Sequence, residues 1–445
     1  MEASNPWYIY ITGGYMIDPA SQTEGYRDLL LYDGKIAAIA EAGTPYEELV
    51  SKVCKEEEAC AGQIRRIDAS GKIIAPGLVD VHVHFRDPGF TYKEDIESGA
   101  KAAAKGGFTS VVLMANTKPA VDNVETLDYV INKGKTTDIH IYTCVNVTMG
   151  MQGKQLVDME RLSAEGAVGF TDDGIPIKSE EILKEALMCA AKLDKPISLH
   201  EEDPSYITNN GINAGKASAH FGIGGSPREA EISMVKRDLE AALCVSPAAD
   251  LSIQHISTKE AVELVRKAKK RSSHIHAEAT PHHFTLTEDA AIVHGTLAKM
   301  NPPLRTKEDR MAIIEGLRDG TIDMIATDHA PHSKEEKDKP LTEAPSGIIG
   351  LETALSLGIR ELVEPGYMTM MSLLGKMTCN PAALYHLDAG YLAEGGPADL
   401  VIFDRSTTWK VGKFVSRSSN SPFVGEMLPG VVVYTICEGR VVYQQ

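Results

Sequence analysis

Between Leu78 and Ala326 one pattern recurs eight times: a short apolar run of β character, then a stretch with helical periodicity. The runs are Leu78–Val83, Thr109–Met114, Ile139–Val145, Ala167–Thr171, Pro196–Leu199, Leu251–Gln254, His274–Ala279 and Ile322–Ala326. The helical patterns between them include Lys93–Lys105, stopped by Gly106 and Gly107, then Ser179–Leu193, Arg228–Leu243 and Lys259–Lys269. Strands alternating with amphipathic helices build a parallel sheet, because each strand must be re-entered through a crossover that covers the sheet face. Eight such units fit an α/β fold of the TIM-type (β/α)8 barrel class. An open doubly wound sheet is the competitor, and no Gly-x-Gly-x-x-Gly follows the first strand to support it.

The flanks have a different texture. Residues 7–75 read as short β-segments, with Asp33-Gly34 as a hairpin signal between apolar runs. Ala398–Phe403, Val431–Ile436 and Arg440–Tyr443 read the same way at the other end. Strand edges at both termini would stay open unless they pair. The expected organisation is therefore one small β-sandwich domain built from residues 1–75 and 392–445, around a barrel spanning 76–391. An acidic insertion between Ala42 and Gly62, with Cys54 and Cys60 in it, reads as surface.

A formal charge of −17 excludes partners that want a basic face, so neither nucleic acid nor an anionic membrane is expected. An anionic substrate would need a positive charge supplied within the site itself. Met1–Tyr10 has no basic region leading into a long apolar run, and no later run approaches a membrane span, so a cytoplasmic enzyme is expected. The seven cysteines include no Cys-x-x-Cys, which gives no ground for a disulfide framework or a thiolate metal site.

Barrel enzymes carry their chemistry at the C-terminal ends of the strands. The first strand runs through Gly77-Leu-Val-Asp-Val-His-Val-His-Phe-Arg86, and a period of two puts His82, His84 and Arg86 on one face. His-x-His on a strand can hold a metal. It can also be a strand that happens to carry two histidines, and the tripeptide alone leaves both readings open. The other strand ends weigh in: the fourth runs into Asp172-Asp173-Gly174, the fifth into His200, the sixth into His255 and the eighth into Asp328-His329. Four histidines and two carboxylates on one face would be costly to desolvate without a metal or a charge partner. They match a binuclear site, whose ions sit about 3.5–4 Å apart. His282 and His283 after the seventh strand, and His329, are candidates to orient ligands. His332 lies on the loop after the eighth strand, within reach of a substrate. His140, His220, His274, His294 and His386 fall at strand starts, helices or loops and read as structural.

Taken together, Asp80-Val-His-Val-His-Phe-Arg-Asp-Pro-Gly89, Met114-Ala-Asn-Thr117, Phe170-Thr-Asp-Asp-Gly174, Thr280-Pro-His-His283, Asn301-Pro-Pro-Leu-Arg305, Thr327-Asp-His-Ala-Pro-His332 and Ser346-Gly-Ile-Ile-Gly-Leu-Glu-Thr353 resemble the bacterial type I dihydroorotases of the amidohydrolase superfamily. The resemblance runs in order from about Ala75 to Leu392 and into both termini. It implies two zinc ions, one held by His82, His84 and Asp328 and the other by His200 and His255. It further implies an aspartate bridge in place of the carboxylated lysine of many relatives. Alignment on Thr-Asp-Asp-Gly points to Asp173 for that bridge, with Asp172 as its neighbour; the nearest lysine, Lys178, lies beyond the turn. Arg86, Asn116, Asn301 and His332 are implied to contact the substrate. Two positions depart from the family's pattern: Ala115, where Pro is usual, and Ser346, where a bulkier residue is frequent.

The implied reaction is the reversible, zinc-dependent opening of dihydroorotate to N-carbamoyl-aspartate in pyrimidine biosynthesis, with Asp328 moving the proton as general acid–base catalysis requires. A hydantoinase or dihydropyrimidinase-like cyclic amidase is the nearest alternative, and a non-catalytic assembly partner the alternative of another class. A homodimer and association with aspartate transcarbamoylase are open as partners. The charged segment Ser333–Pro340 reads as a solvated loop or as a mobile cover over the site.

Overall fold

The computed structural model describes residues 8–53 and 64–445. Eight strands form the barrel: β1 (Leu78–Val83), β2 (Phe108–Leu113), β3 (His140–Val145), β4 (Gly169–Phe170), β5 (Ile197–Leu199), β6 (Leu251–Ile253), β7 (Ile275–Ala279) and β8 (Met324–Ile325). They pair in chain order and in parallel. Closure falls just past the ends of β1 and β8, where Val83 bridges His329 and His84 N donates to His329 O at 2.9 Å. All eight expected strands are present. Several are shorter than the apolar runs that announce them, mostly at the N-terminal end, while Thr171 N, Gln254 N and Ala326 N still donate to the neighbouring strand just past the C-terminal end.

The first crossover helix starts at Ile96 rather than Lys93. Asp95 Oδ1 accepts from Ser98 N at 2.8 Å, an N-cap that fixes the start. It leaves Lys93 in a turn, where the lysine is buried. Gly107 ends the same helix in the left-handed region at φ 92°, the conformation a glycine adopts most cheaply. Every residue of β1 and β2 is buried, as expected of strands covered on both faces.

The two termini build one eight-stranded sheet, from Tyr8–Asp18, Thr23–Tyr32, Lys35–Glu41, Ile64–Asp68 and Ile73–Pro76 with Leu400–Lys410, Met427–Cys437 and Arg440–Gln444. The join between the ends is direct, since Ile73–Pro76 pairs antiparallel with Leu400–Phe403. Bonds from Ile36 N to Gly396 O and from Gly395 N to Ile36 O bring the far edge back to the same region. Ile9, Leu29, Ile36, Leu400 and Ile436 fill one shared core inside this bent layer. Part of the acidic insertion, Tyr46–Val53, is a helix that buries Leu49 beneath Tyr8 and Tyr10. Cys54 and Cys60 lie outside the described residues.

Gly77 links this sheet to the barrel. A Cβ there would lie 2.0 Å from Thr109 Oγ1, so only glycine lets β1 enter beside β2. That close approach sets the height at which His82 and His84 emerge.

Candidate active site

His82 and His84 leave β1 two residues apart and are both buried. His82 Nδ1 lies 2.5 Å from Glu278 Oε1 on β7, a carboxylate that also accepts from His255 N at 3.2 Å. With Nδ1 donating to Glu278, His82 Nε2 keeps its lone pair free, and it has no hydrogen-bond partner. It faces Asp173 at 3.5 Å and Asp328 at 3.6 Å. His84 Nε2 lies 3.1 Å from Asp328 Oδ1 and 3.5 Å from Asp173 Oδ2, while its Nδ1 meets Asn116 Oδ1 at 3.0 Å.

Asp173 is the centre of the cluster. Besides the two β1 histidines it approaches His255 Nε2 at 3.7 Å and His200 Nδ1 at 4.0 Å, and Asn116 Nδ2 donates to it at 2.9 Å. Asp172 turns the other way and accepts from Val147 N at 2.9 Å, Thr148 N at 3.2 Å and Thr148 Oγ1 at 2.5 Å. The two neighbouring carboxylates thus have separate jobs: Asp172 ties the β4 turn to the loop after β3, and Asp173 faces the histidines.

His200 Nδ1 and His255 Nε2 stand 3.0 Å apart, and His255 Nδ1 is buried without a partner. Two sets of three side chains, His82–His84–Asp328 and His82–Asp173–His255, place their ligand atoms within 4.8 Å of one another, and His200 borders the second set. Several imidazole nitrogens aimed at two carboxylates, some with no other partner, fit a divalent metal ion: its charge would relieve the desolvation of the carboxylates and its coordination would satisfy the orphaned nitrogens.

The electrostatics show that the carboxylates call for positive charge on the imidazole side, whether from a proton or from a metal ion. Burial opposes charge on His82, but Glu278 and Asp173 outweigh it and hold its pKa well above the ordinary value. Burial likewise opposes the Asp173 carboxylate and is overcome by His82 and His255, which hold its pKa well below the usual range. Asp328 is also held low, against burial, by His84 and His82. Three site residues sit in the left-handed region, Arg86 at φ 59°, His255 at 33° and Asp328 at 48°. Such backbone is costly for residues with a Cβ and persists where surrounding structure enforces it.

Arg86, Asn116, Asn301 and His332 line one cavity of about 190 Å³ together with His84, Asp173, His200, His255 and Asp328. Arg86 Nε donates to Pro331 O at 3.3 Å, and among the described residues no carboxylate oxygen lies within 4 Å of its guanidinium. Asn301 Nδ2 reaches His200 Nε2 at 3.4 Å, and its Oδ1 is buried without a partner. Ser346 and Gly347 complete the wall. The structure therefore brings His82, His84, Asp173, His200, His255 and Asp328 together with Arg86, Asn116, Asn301 and His332.

The flanking histidines divide. His283 is fixed between Thr280 Oγ1 at 2.8 Å and Pro302 O at 3.0 Å, and His329 Nδ1 accepts from Gly350 N at 3.1 Å. Both brace loops at the mouth. His282 Nε2 is buried without a partner, and burial pushes its pKa down to about 4. The sequence reading missed Glu278, although a lone carboxylate inside the apolar Ile275–Ala279 strand was a usable signal. The charged segment is less solvated than its composition implies: Lys334–Lys337 is a short helix capped by Ser333, and Lys337 is buried against Pro345 O at 2.8 Å.

A parallel barrel with histidines and aspartates gathered at its strand ends defines a class of metal-dependent hydrolases, and the chain belongs to the amidohydrolase family, whose model matches residues 73–442. Its relatives narrow this. The chain is 52% identical over 437 residues to the dihydroorotase of Clostridioides difficile, covering 98% of this chain and 99% of that one. It is 51% identical to the dihydroorotase of Streptococcus pyogenes and 47% to that of Lactococcus lactis, with the same coverage. Among solved structures, the L-hydantoinase of Arthrobacter aurescens superposes with a TM-score of 0.84 at 26% identity, over 98% of this chain and 96% of that one. A dihydropyrimidinase from Brevibacillus agri, 20% identical over 98% of this chain and 95% of that one, shares the fold with a TM-score of 0.82. No helix among the described residues is long and apolar enough to cross a membrane.

Proposed function

We infer that this protein is a dihydroorotase, catalysing the reversible hydrolysis of the cyclic amide of (S)-dihydroorotate to N-carbamoyl-L-aspartate in pyrimidine biosynthesis, in the cytoplasm. The observation that carries the substrate choice is Arg86. Its guanidinium has no carboxylate partner among the described residues and lines the same cavity as the histidine–aspartate cluster. A planar guanidinium pairs with a carboxylate through two parallel hydrogen bonds. A plain cyclic amide would leave this half-buried guanidinium without a carboxylate, forgoing a charge-assisted pair. A hydantoinase reading, by contrast, gives Arg86 no carboxylate to pair with.

The cluster would hold two zinc ions, one on His82, His84 and Asp328 and the other on His200 and His255, with Asp173 between them. Bound there, the metal ions would polarise a ring carbonyl and bring the pKa of a water down to about 7. The chain's own residues do the rest. Arg86 and His332 take the substrate carboxylate, and Asn301 Oδ1 offers an acceptor to a ring N–H. Asn116 braces Asp173 and His84 at once. Asp328, its pKa held low by His84 and His82 against burial, accepts one proton of the attacking water and returns it to the ring nitrogen as the C–N bond breaks; the ring opens to a ureido group and a carboxylic acid, which releases the second proton to solvent and becomes a carboxylate.

The test is to assay zinc-loaded protein in parallel with dihydroorotate, N-carbamoyl-aspartate, hydantoin and allantoin. Turnover of the first pair is expected, and turnover of hydantoin without dihydroorotate would overturn the assignment.

A further inference from the structure

We propose that Lys93 is a positioning residue for the substrate carboxylate: its ammonium holds His332 as the neutral tautomer protonated on Nε2, so that beside Arg86 the imidazole can only donate. This rests on the reading of Arg86 and His332 as the carboxylate clamp.

Lys93 and His332 are both buried. Lys93 Nζ lies 3.3 Å from His332 Nδ1 and 2.9 Å from Glu336 Oε1. An ammonium has three donors and no acceptor, so Nδ1 must meet it with a lone pair. On the other side of the ring, Nε2 lies 2.8 Å from the carbonyl oxygen of Ser346, which can only accept, so Nε2 must carry the proton. Two independent contacts select one tautomer.

The alternatives fit less well. A proton on Nδ1 would point at the ammonium, and the nearest carboxylate oxygen, Glu336 Oε2, is 3.6 Å away, too far for a hydrogen bond. Donation from Arg86 Nη2 to Nε2 would span 3.5 Å and compete with the Ser346 carbonyl at 2.8 Å. A doubly protonated ring would add a cation beside Arg86 and Lys93, and burial together with those two charges holds the His332 pKa far below the ordinary value.

Lys93 is itself held in place. Its carbonyl accepts from Ser418 Oγ at 2.7 Å, and Glu336 is tied down by Tyr92 Oη at 2.8 Å. The charged Ser333–Lys337 segment thus acquires a role: burial and Arg86 lower the Lys93 pKa, and Glu336 supplies the carboxylate that opposes them and favours the ammonium beside His332. When a carboxylate enters between Arg86 and His332, Nε2–H is already a donor, and a small tilt of the ring lets it be shared between the Ser346 carbonyl and the anion, with no proton to be gained first.

The experiment has two arms on the full-length, zinc-loaded protein. Nitrogen-15 NMR of the imidazoles, with the His332 signals identified by their loss in His332→Asn, reads the tautomer without substrate; wild type is expected to show an unprotonated Nδ1 and a protonated Nε2. A protonated Nδ1 overturns the proposal, whether or not any variant folds. In the kinetic arm, Lys93→Met is expected to raise KM for dihydroorotate by about tenfold, the scale of one charged hydrogen bond, with kcat within about threefold of wild type. Lys93→Arg, which keeps a cationic donor, is expected to recover most of that loss. An unchanged KM in Lys93→Met, or a fall confined to kcat and melting temperature, overturns the role. Should wild type fail to turn over dihydroorotate, the substrate assignment falls, and the NMR arm still decides the link between Lys93 and His332.

Discussion

The two ends of the barrel carry the same residue types under different conditions. At the base, His140 meets Asp399 at 2.8 Å, and His274 and His276 both meet Asp250, at 3.0 and 2.9 Å. Each of these rings is partly exposed and hydrogen-bonds to one carboxylate, and Asp323 lies 4.0 Å from His276 Nδ1. At the mouth, four buried histidines crowd two carboxylates, and nitrogens of His82 and His255 are left without partners. A larger cleft, about 980 Å³ and lined partly by His140, opens at the base rather than the mouth. Neither the count of histidines nor the size of a cavity distinguishes the reactive end. Buried ligand atoms that the protein leaves unsatisfied do, because their desolvation has to be offset by something the chain does not contain.

The sharpest way to break this comparison is at Asp173. Asp173→Ala should lose bound metal and turnover together, by more than the roughly 100-fold typical of removing a group that only orients a ligand. Asp172→Ala should keep both, and lower stability by about 1–3 kcal/mol by leaving its backbone donors unpaired. Metal analysis showing the opposite pattern would reassign the central carboxylate. Next in size, Asp328→Asn should lower turnover by about 10²-fold or more while retaining metal; near wild-type turnover would remove its proton-transfer role. Arg86→Met should raise KM for dihydroorotate by about 10–100-fold, the equivalent of one or two charged hydrogen bonds. Hydantoin, if turned over at all, should lose nothing, and an equal loss on both compounds would contradict a carboxylate clamp.

The smallest effect belongs to the base. Burial works against charge on His140, but its hydrogen bond to Asp399 raises its pKa above the ordinary value. A raised pKa stabilises the folded state fully below the unfolded value, about 6.5, and that contribution is lost as pH rises through the folded value. His140→Gln should therefore melt about 1–2 °C lower than wild type at pH 6, with the gap closing by pH 9 and activity unchanged throughout. A gap that widened with pH would mean that the pair does not hold a proton.

Much of this site can be read along the chain because strands have a period of two and barrels end their strands on one rim. His82, His84, His200, His255 and Asp328 follow from those two rules. The roles of Asp172 and Asp173 do not, since either could face inward until the amides of Val147 and Thr148 claim the first. Glu278 and Lys93 were missed for a related reason. Each acts on a histidine far away in sequence, 196 residues for Glu278 and 239 for Lys93, and no local pattern records such a pairing.

The sequence alone pointed to the class of fold, because eight apolar runs separated by helical patterns bury both their faces in a parallel sheet, and no Gly-x-Gly-x-x-Gly follows the first to favour an open one. It also determined the donor set, since residue type and strand position place nitrogen and oxygen ligands on one rim. Only the tertiary structure decided which nitrogen of each ring is free, which of two adjacent carboxylates faces the centre, and which cation lacks a partner. Those outcomes depend on hydrogen bonds between strands and loops far apart in the chain, and a side chain's chemistry is set by the partners it is left without as much as by its type.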